Sequence, residues 1–207
     1  MTEEIIFYTN PQSRGAMTHW MLEETGCSYR IEVKAFGADM KTAEYLAINP
    51  MGKVPAIKHG RTIVTETGAI LSYLADTFPE ARLAPPPAER GSYYRWLFFV
   101  AGCCEPALGN KAAGWDPETP ELQVRFGYGS YERTIETVAK AVEGRSHIAA
   151  DYFTAADLYM ASFLYWGMMF GVIERRPVFE AYVERHVERP AAKRAQQQAA
   201  QLLAGAG

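Results

Sequence analysis

Over the first 78 residues, short runs of apolar and β-branched side chains alternate with helical patterns. "EIIFY" (residues 4–8) and "YRIEV" (29–33) have the composition of strands. Between them, "SRGAMTHWMLEETG" places Ala16, Trp20 and Met21 on one helical face and stops at Gly26. Strand, helix, strand in that order predicts parallel neighbours joined by a right-handed crossover. "KTAEYLA" predicts a short helix, "VPAIKHGRTIVTE" a hairpin turning around His59 and Gly60, and a further helix runs from about Thr67 to Thr77. The expected order is β-α-β-α-β-β-α.

Proline then interrupts the pattern. Pro79, Pro85, Pro86 and Pro87 predict a stiff, extended linker over 79–87. Beyond it the periodicity is helical throughout, so residues 1–78 form an α/β domain and 88–207 an all-helical one. The run "LYMASFLYWGMMFGVI" (158–173) falls short of the roughly 20 residues of a membrane span. Ser162 interrupts it, and it is expected as a buried helix. "TAAD" at 154–157 reads as a capping box opening that helix, with Phe153 as a hydrophobic staple, which gives Asp157 a structural role. "AQQQAAQLLAGAG" at the end predicts a fraying terminal helix.

Composition narrows the function classes. With 21 basic against 24 acidic residues in 207, the net charge is −3, which gives no electrostatic footprint for nucleic acid or an anionic membrane. The three cysteines, Cys27, Cys103 and Cys104, form no C-x-x-C pair. His19, His59, His147 and His186 show no metal spacing, so no metal is expected. The acidic start "MTEE" is not a secretory leader, and a reducing, cytoplasmic setting is the expectation.

One residue resists this reading. Pro55 lies where "VPAI" reads as a buried strand, yet proline has no N–H to give a central ladder. The β-α-β-α-β-β-α order, "NPMGKVPAI", "TETGAI" at a helix start, the proline linker and "FTAADLYMAS" together resemble a cytosolic-type bacterial glutathione transferase of the serine or theta-like kind. The resemblance covers nearly the whole chain. It implies a thioredoxin-like first domain that binds glutathione as co-substrate, and a helical second domain forming most of the pocket for a small apolar electrophile. It also implies a homodimer and a role in detoxification. By the same resemblance the Val54–Pro55 bond is cis and turns the main chain of Val54 outward, to pair with the cysteinyl unit of glutathione like an added strand. Lys53 would lie near the glycine carboxylate, with Lys41 and Arg14 as secondary candidates. Thr67 and the free N–H groups of the turn after it would take the γ-glutamyl carboxylate, with Glu66 on the adjacent ammonium.

Catalysis then requires an ionised thiol. Lowering a thiol pKa of ~8.5 by about two units corresponds to roughly 3 kcal/mol of preferential thiolate binding. One hydrogen bond to a charged group supplies ~1.5–3 kcal/mol. By the same resemblance, whose members keep a Tyr, Ser or Cys there, the loop "YTNPQSRG" would provide it, and Ser13 is the first choice, as donor to the thiolate rather than as nucleophile. Asn10 and Gln12 are further donors, whereas Tyr8 is expected to pack in the core. The Tyr8-to-Ser13 spacing is a residue longer than in several serine-type members. Tyr93, Phe99 and Trp115 are candidates for the electrophile pocket. Two alternatives accompany this reading: a non-catalytic glutathione- or ligand-binding protein, and a glutathione-dependent thiol–disulfide oxidoreductase or peroxidase. The strand-one loop holds no cysteine, which weighs against the disulfide route.

Overall fold

The computed structural model describes residues 4–205. The first three residues of the acidic start and the last two of the terminal segment lie outside that range. The chain divides into two compact units: one runs up to Leu83 and takes in the segment from Arg189 onward, and the other is Ala84–Glu188.

The first unit is built on β1 (Ile5–Thr9), α1 (Gly15–Thr25), β2 (Tyr29–Val33), α2 (Ala43–Leu46), β3 (Ala56–His59), β4 (Thr62–Thr65) and α3 (Thr67–Thr77), the expected order. The sheet runs β2-β1-β3-β4, with β1 parallel to β2 and antiparallel to β3, and β3 antiparallel to β4. Central β1 is apolar on both faces, so Ile5, Phe7 and Tyr8 are all buried, whereas edge strand β4 buries nothing fully. Gly26 ends α1 in the left-handed region, φ 65°, with its N–H on the Leu22 carbonyl, which explains the sharp stop before β2. Ala56, not Val54, opens β3, so Pro55 stands just outside the ladder that its missing N–H could not serve.

Six consecutive residues of α1, Met17 to Leu22, are buried, more than one helical face could account for. The reason is α10 (Pro190–Ala204), which packs on α1 as α3 does. The Ala- and Gln-rich tail is therefore docked rather than frayed. Glu24 forms a two-pronged ion pair with Arg189, and Glu23 pairs with Arg194 at 2.6 Å. His19, 3 % exposed, bonds both Tyr29 and Gln198.

The second unit is helical: α4 (Gly91–Phe99), α5 (Glu105–Ala112), α6 (Pro120–Arg125), α7 (Tyr131–Val142), α8 (Ala155–Met169) and α9 (Pro177–Val187). The proline-rich stretch holds two short 3-10 turns, Pro79–Ala81 and Pro87–Glu89, rather than one extended rod. A wide turn at Val100–Cys104 joins α4 to α5, with the Glu105 N–H reaching back to the Val100 carbonyl, because Pro106 cannot continue the regular ladder. Helix α8 is buried on nearly every side and packs against α4 and α9, as its unbroken apolar sequence requires. No helix among the described residues is long and apolar enough to cross a membrane.

Candidate functional site

The loop after β1 and the turn before β3 converge on one cavity of about 530 Å³, lined by Gln12, Ser13, Arg14, Lys41, Lys53 and Val54 among others. Three of its lining residues are cationic and none is acidic. Within it, the Val54–Pro55 peptide bond is cis, as expected. Among the described residues, neither the N–H nor the C=O of Val54 has a hydrogen-bond partner, although its side chain packs on buried Tyr8, Met40, Tyr45 and Ala56. A strand-like donor and acceptor therefore stand open at the cavity wall. Gly52 makes the approach possible. It sits at φ 58°, and a Cβ there would come 2.5 Å from the Met40 carbonyl oxygen.

Ser13 is half-buried and more committed than a free donor. Its hydroxyl donates to the Asn10 carbonyl at 2.7 Å and accepts the Gly15 N–H at 3.0 Å. Asn10 organises the whole loop: its amide donates to the Lys34 carbonyl and its Oδ1 accepts the Gln12 N–H. A hydroxyl has one proton, so Ser13 must turn from Asn10 to donate to a ligand, keeping its contact with Gly15. Lys41 donates to the Met51 carbonyl at 3.2 Å. Tyr8 is 7 % exposed, and burial pushes its phenol pKa up, in keeping with a core role.

Glu66 and Thr67 do not line this cavity. The Thr65–Ala56 pairing sets them one step further along the hairpin, beside Pro55. Glu66 has φ 68° and ψ 122°, a conformation costing ~1–3 kcal/mol for a residue with a side chain and met most often at functional sites. Thr67 opens α3, whose first N–H groups have no partner within the helix.

None of the aromatic candidates lines the cavity. Tyr93 is 1 % exposed, Phe99 stacks edge-on against Trp96, and Trp115, 40 % exposed, meets Phe126 edge-on. No cysteine lines the cavity either. Burial raises the thiol pKa of Cys27, Cys103 and Cys104, keeping them protonated and poorly nucleophilic.

Two histidines that look scattered in the sequence meet in the fold. Ring nitrogens of His147 and His186 and a carboxylate oxygen of Asp157 lie within 4.8 Å of one another. The carboxylate is already saturated, accepting from the Ile148 N–H, the Tyr182 hydroxyl, and the Thr154 N–H and hydroxyl, all at 2.7 to 2.9 Å. Asp157 thus completes the expected capping box of α8.

Comparison with known proteins follows the same lines. The glutathione S-transferase N-terminal domain family matches residues 3–76. Glutathione S-transferase 1 of Schizosaccharomyces pombe is 32% identical over 163 residues, 73% of this chain and 69% of its own length. A solved glutathione transferase from Methylococcus capsulatus superposes with a TM-score of 0.78 at 30% identity, covering 95% of this chain and 99% of that one. A sphingomonad glutathione S-transferase solved with glutathione gives 0.77 at 28% identity, over 94% of this chain and 98% of its own.

Proposed function

The chain belongs to the glutathione S-transferase family and is a glutathione transferase, and we propose that it binds glutathione along the Lys53–Val54 edge with the thiolate held by Ser13. The observation that carries this is the open main chain of Val54 in a cavity that also holds Ser13 and Lys53. The N–H and C=O of Val54 pair with the cysteinyl unit, Lys53 neutralises the glycyl carboxylate, and Thr67 with Glu66 receives the γ-glutamyl end. A sphingomonad relative solved with glutathione supports the ligand. On binding, the Ser13 hydroxyl turns from the Asn10 carbonyl to the sulfur. The thiol proton leaves to water, and the thiolate attacks an electrophilic carbon of a small apolar molecule. A C–S bond forms, and in a substitution the leaving group departs with its electron pair. Thiolate stabilisation and proximity supply the rate. The serine-type subclass, a homodimer, a cytoplasmic setting, and Tyr93, Phe99 and Trp115 as electrophile contacts belong to the same reading.

Titration of the bound thiol by thiolate absorbance tests it. Glutathione on the protein should ionise about one to two pH units below free glutathione, as one charged hydrogen bond allows. Intact binding with an unshifted thiol would overturn the role of Ser13 and leave a glutathione-binding protein of the same fold. Loss of activity on blocking all three cysteines would favour the disulfide route instead.

A further inference from the structure

The Val54 amide belongs to the same peptide unit as the carbonyl of Lys53. That unit is trans, since Val54–Pro55 is the cis bond among the described residues, so the two groups point in opposite directions from one rigid plane. Whatever holds the carbonyl therefore aims the N–H. Two buried side chains hold it: the Tyr45 hydroxyl donates to the Lys53 oxygen at 2.6 Å and the Asn49 amide donates to the same oxygen at 2.9 Å. A carbonyl oxygen has two lone pairs, and both are engaged.

Neither donor is loose. Tyr45 is 2 % exposed and lies in α2, its ring 5.7 Å from that of Tyr8, with the Lys34 ammonium over both rings. Asn49 is 3 % exposed; its Oδ1 accepts the Met51 N–H, its own N–H bonds the Tyr45 carbonyl, and its carbonyl accepts from Gly52. Burial pushes the Tyr45 phenol up to about 12, so it stays a donor across the working pH range. A clamp this complete is more than a turn requires, since Asn49 alone would satisfy the carbonyl.

We propose that Tyr45 and Asn49 are positioning residues: by pinning the Lys53 carbonyl inward they hold the Val54 N–H facing the cavity, ready to receive the cysteinyl carbonyl of glutathione. The inference rests on the glutathione reading above. It assigns the two residues to ground-state recognition of the tripeptide backbone, away from the sulfur. Their removal should weaken binding while leaving thiolate chemistry intact.

Tyr45→Phe keeps the ring and deletes only the donor. In the full chain it should raise the KM and the Kd for glutathione about fivefold to tenfold, the range of one lost neutral hydrogen bond. The kcat at saturating glutathione and the thiol pKa of bound glutathione should stay at wild-type values. Asn49→Ala should shift KM in the same direction, and the double variant should fall short of the product of the two, because both act on one carbonyl. Should Asn49→Ala not fold, Tyr45→Phe carries the test alone. A Tyr45→Phe KM within about twofold of wild type, or a thiol pKa that moves with it, overturns the proposal. Failure of the wild-type chain to bind glutathione at all sinks the parent reading, a result distinguishable from both.

Discussion

Two of the hydroxyls at helix starts in this molecule, those of Thr154 and Ser13, have opposite uses. Thr154, before α8, is fully buried; its side chain accepts the Asp157 N–H and donates to the Asp157 carboxylate, which closes the box. Ser13, just before α1, lies half-buried on the wall of a basic cavity, with its only proton lent to a carbonyl in its own loop. Both fit the pattern of a hydroxyl that caps a helix. What separates them is saturation: in the capping box both carboxylate oxygens and the threonine proton are engaged in the dry interior, whereas Ser13 can trade its partner for a ligand. A hydroxyl is free for chemistry where its exchange costs little and where something worth donating to can reach it.

The largest effect should come from breaking the closed side of this comparison. Asp157→Ala removes the acceptor for the Ile148 N–H, the Tyr182 hydroxyl and the Thr154 N–H, all inside the helical unit. Buried donors left without partners cost ~1–3 kcal/mol each, so we expect a loss of about 3–5 kcal/mol in urea unfolding, a large fraction of a stability of about 5–15 kcal/mol. Asp157→Asn keeps the shape and one acceptor oxygen, and should recover part of it. A loss under about 1 kcal/mol for the alanine variant would show that the box is merely local helix capping.

The open side should answer in activity rather than stability. Ser13→Ala is expected to lower kcat/KM about 10- to 100-fold, the equivalent of one hydrogen bond to a charged group. The thiol pKa of bound glutathione should rise toward that of the free tripeptide, with the unfolding midpoint close to wild type. If the activity falls only with the stability, Ser13 is a second Thr154 and the comparison fails.

How much of this was legible in the sequence follows from how local each signal is. The strands, the Gly26 stop, the Thr154–Asp157 box and the cis bond before Pro55 are decided within a few residues, and they appear as expected, although β3 opens at Ala56 rather than at Val54. The convergence of Tyr45 and Asn49 on the Lys53 carbonyl is hidden, because a tyrosine in a four-residue helix carries no mark of which carbonyl it will meet. The same holds for His147 and His186, 39 positions apart and joined only by the fold. The tail reads as a fraying helix because its Ala- and Gln-rich composition offers few large apolar side chains. Its docking rests instead on small buried alanines, Ala191, Ala192 and Ala195, and on Arg189, Arg194 and Gln198 reaching α1. Local exchange at Ser13 was likewise unreadable, since its competitor is a backbone carbonyl that every residue has.

The smallest effect concerns a second closed polar network, the one that joins α1 to α10. His19 bonds Tyr29 and Gln198, with Glu23 bonded to both of those partners and to Arg194. Burial, the largest influence, lowers the His19 pKa from 6.5 despite the opposing pull of Gln198 and Glu23. The folded state then binds this proton less readily than the unfolded chain. Stability from this site is complete above about pH 6.5 and declines as the pH falls toward the lower folded value. The unfolding midpoint should therefore slope downward on acidification, and His19→Gln, which can still donate to Gln198, should flatten that slope without changing the activity assigned to Ser13. An equal slope in the variant would place the proton elsewhere and leave the contact between α10 and α1 to its ion pairs alone.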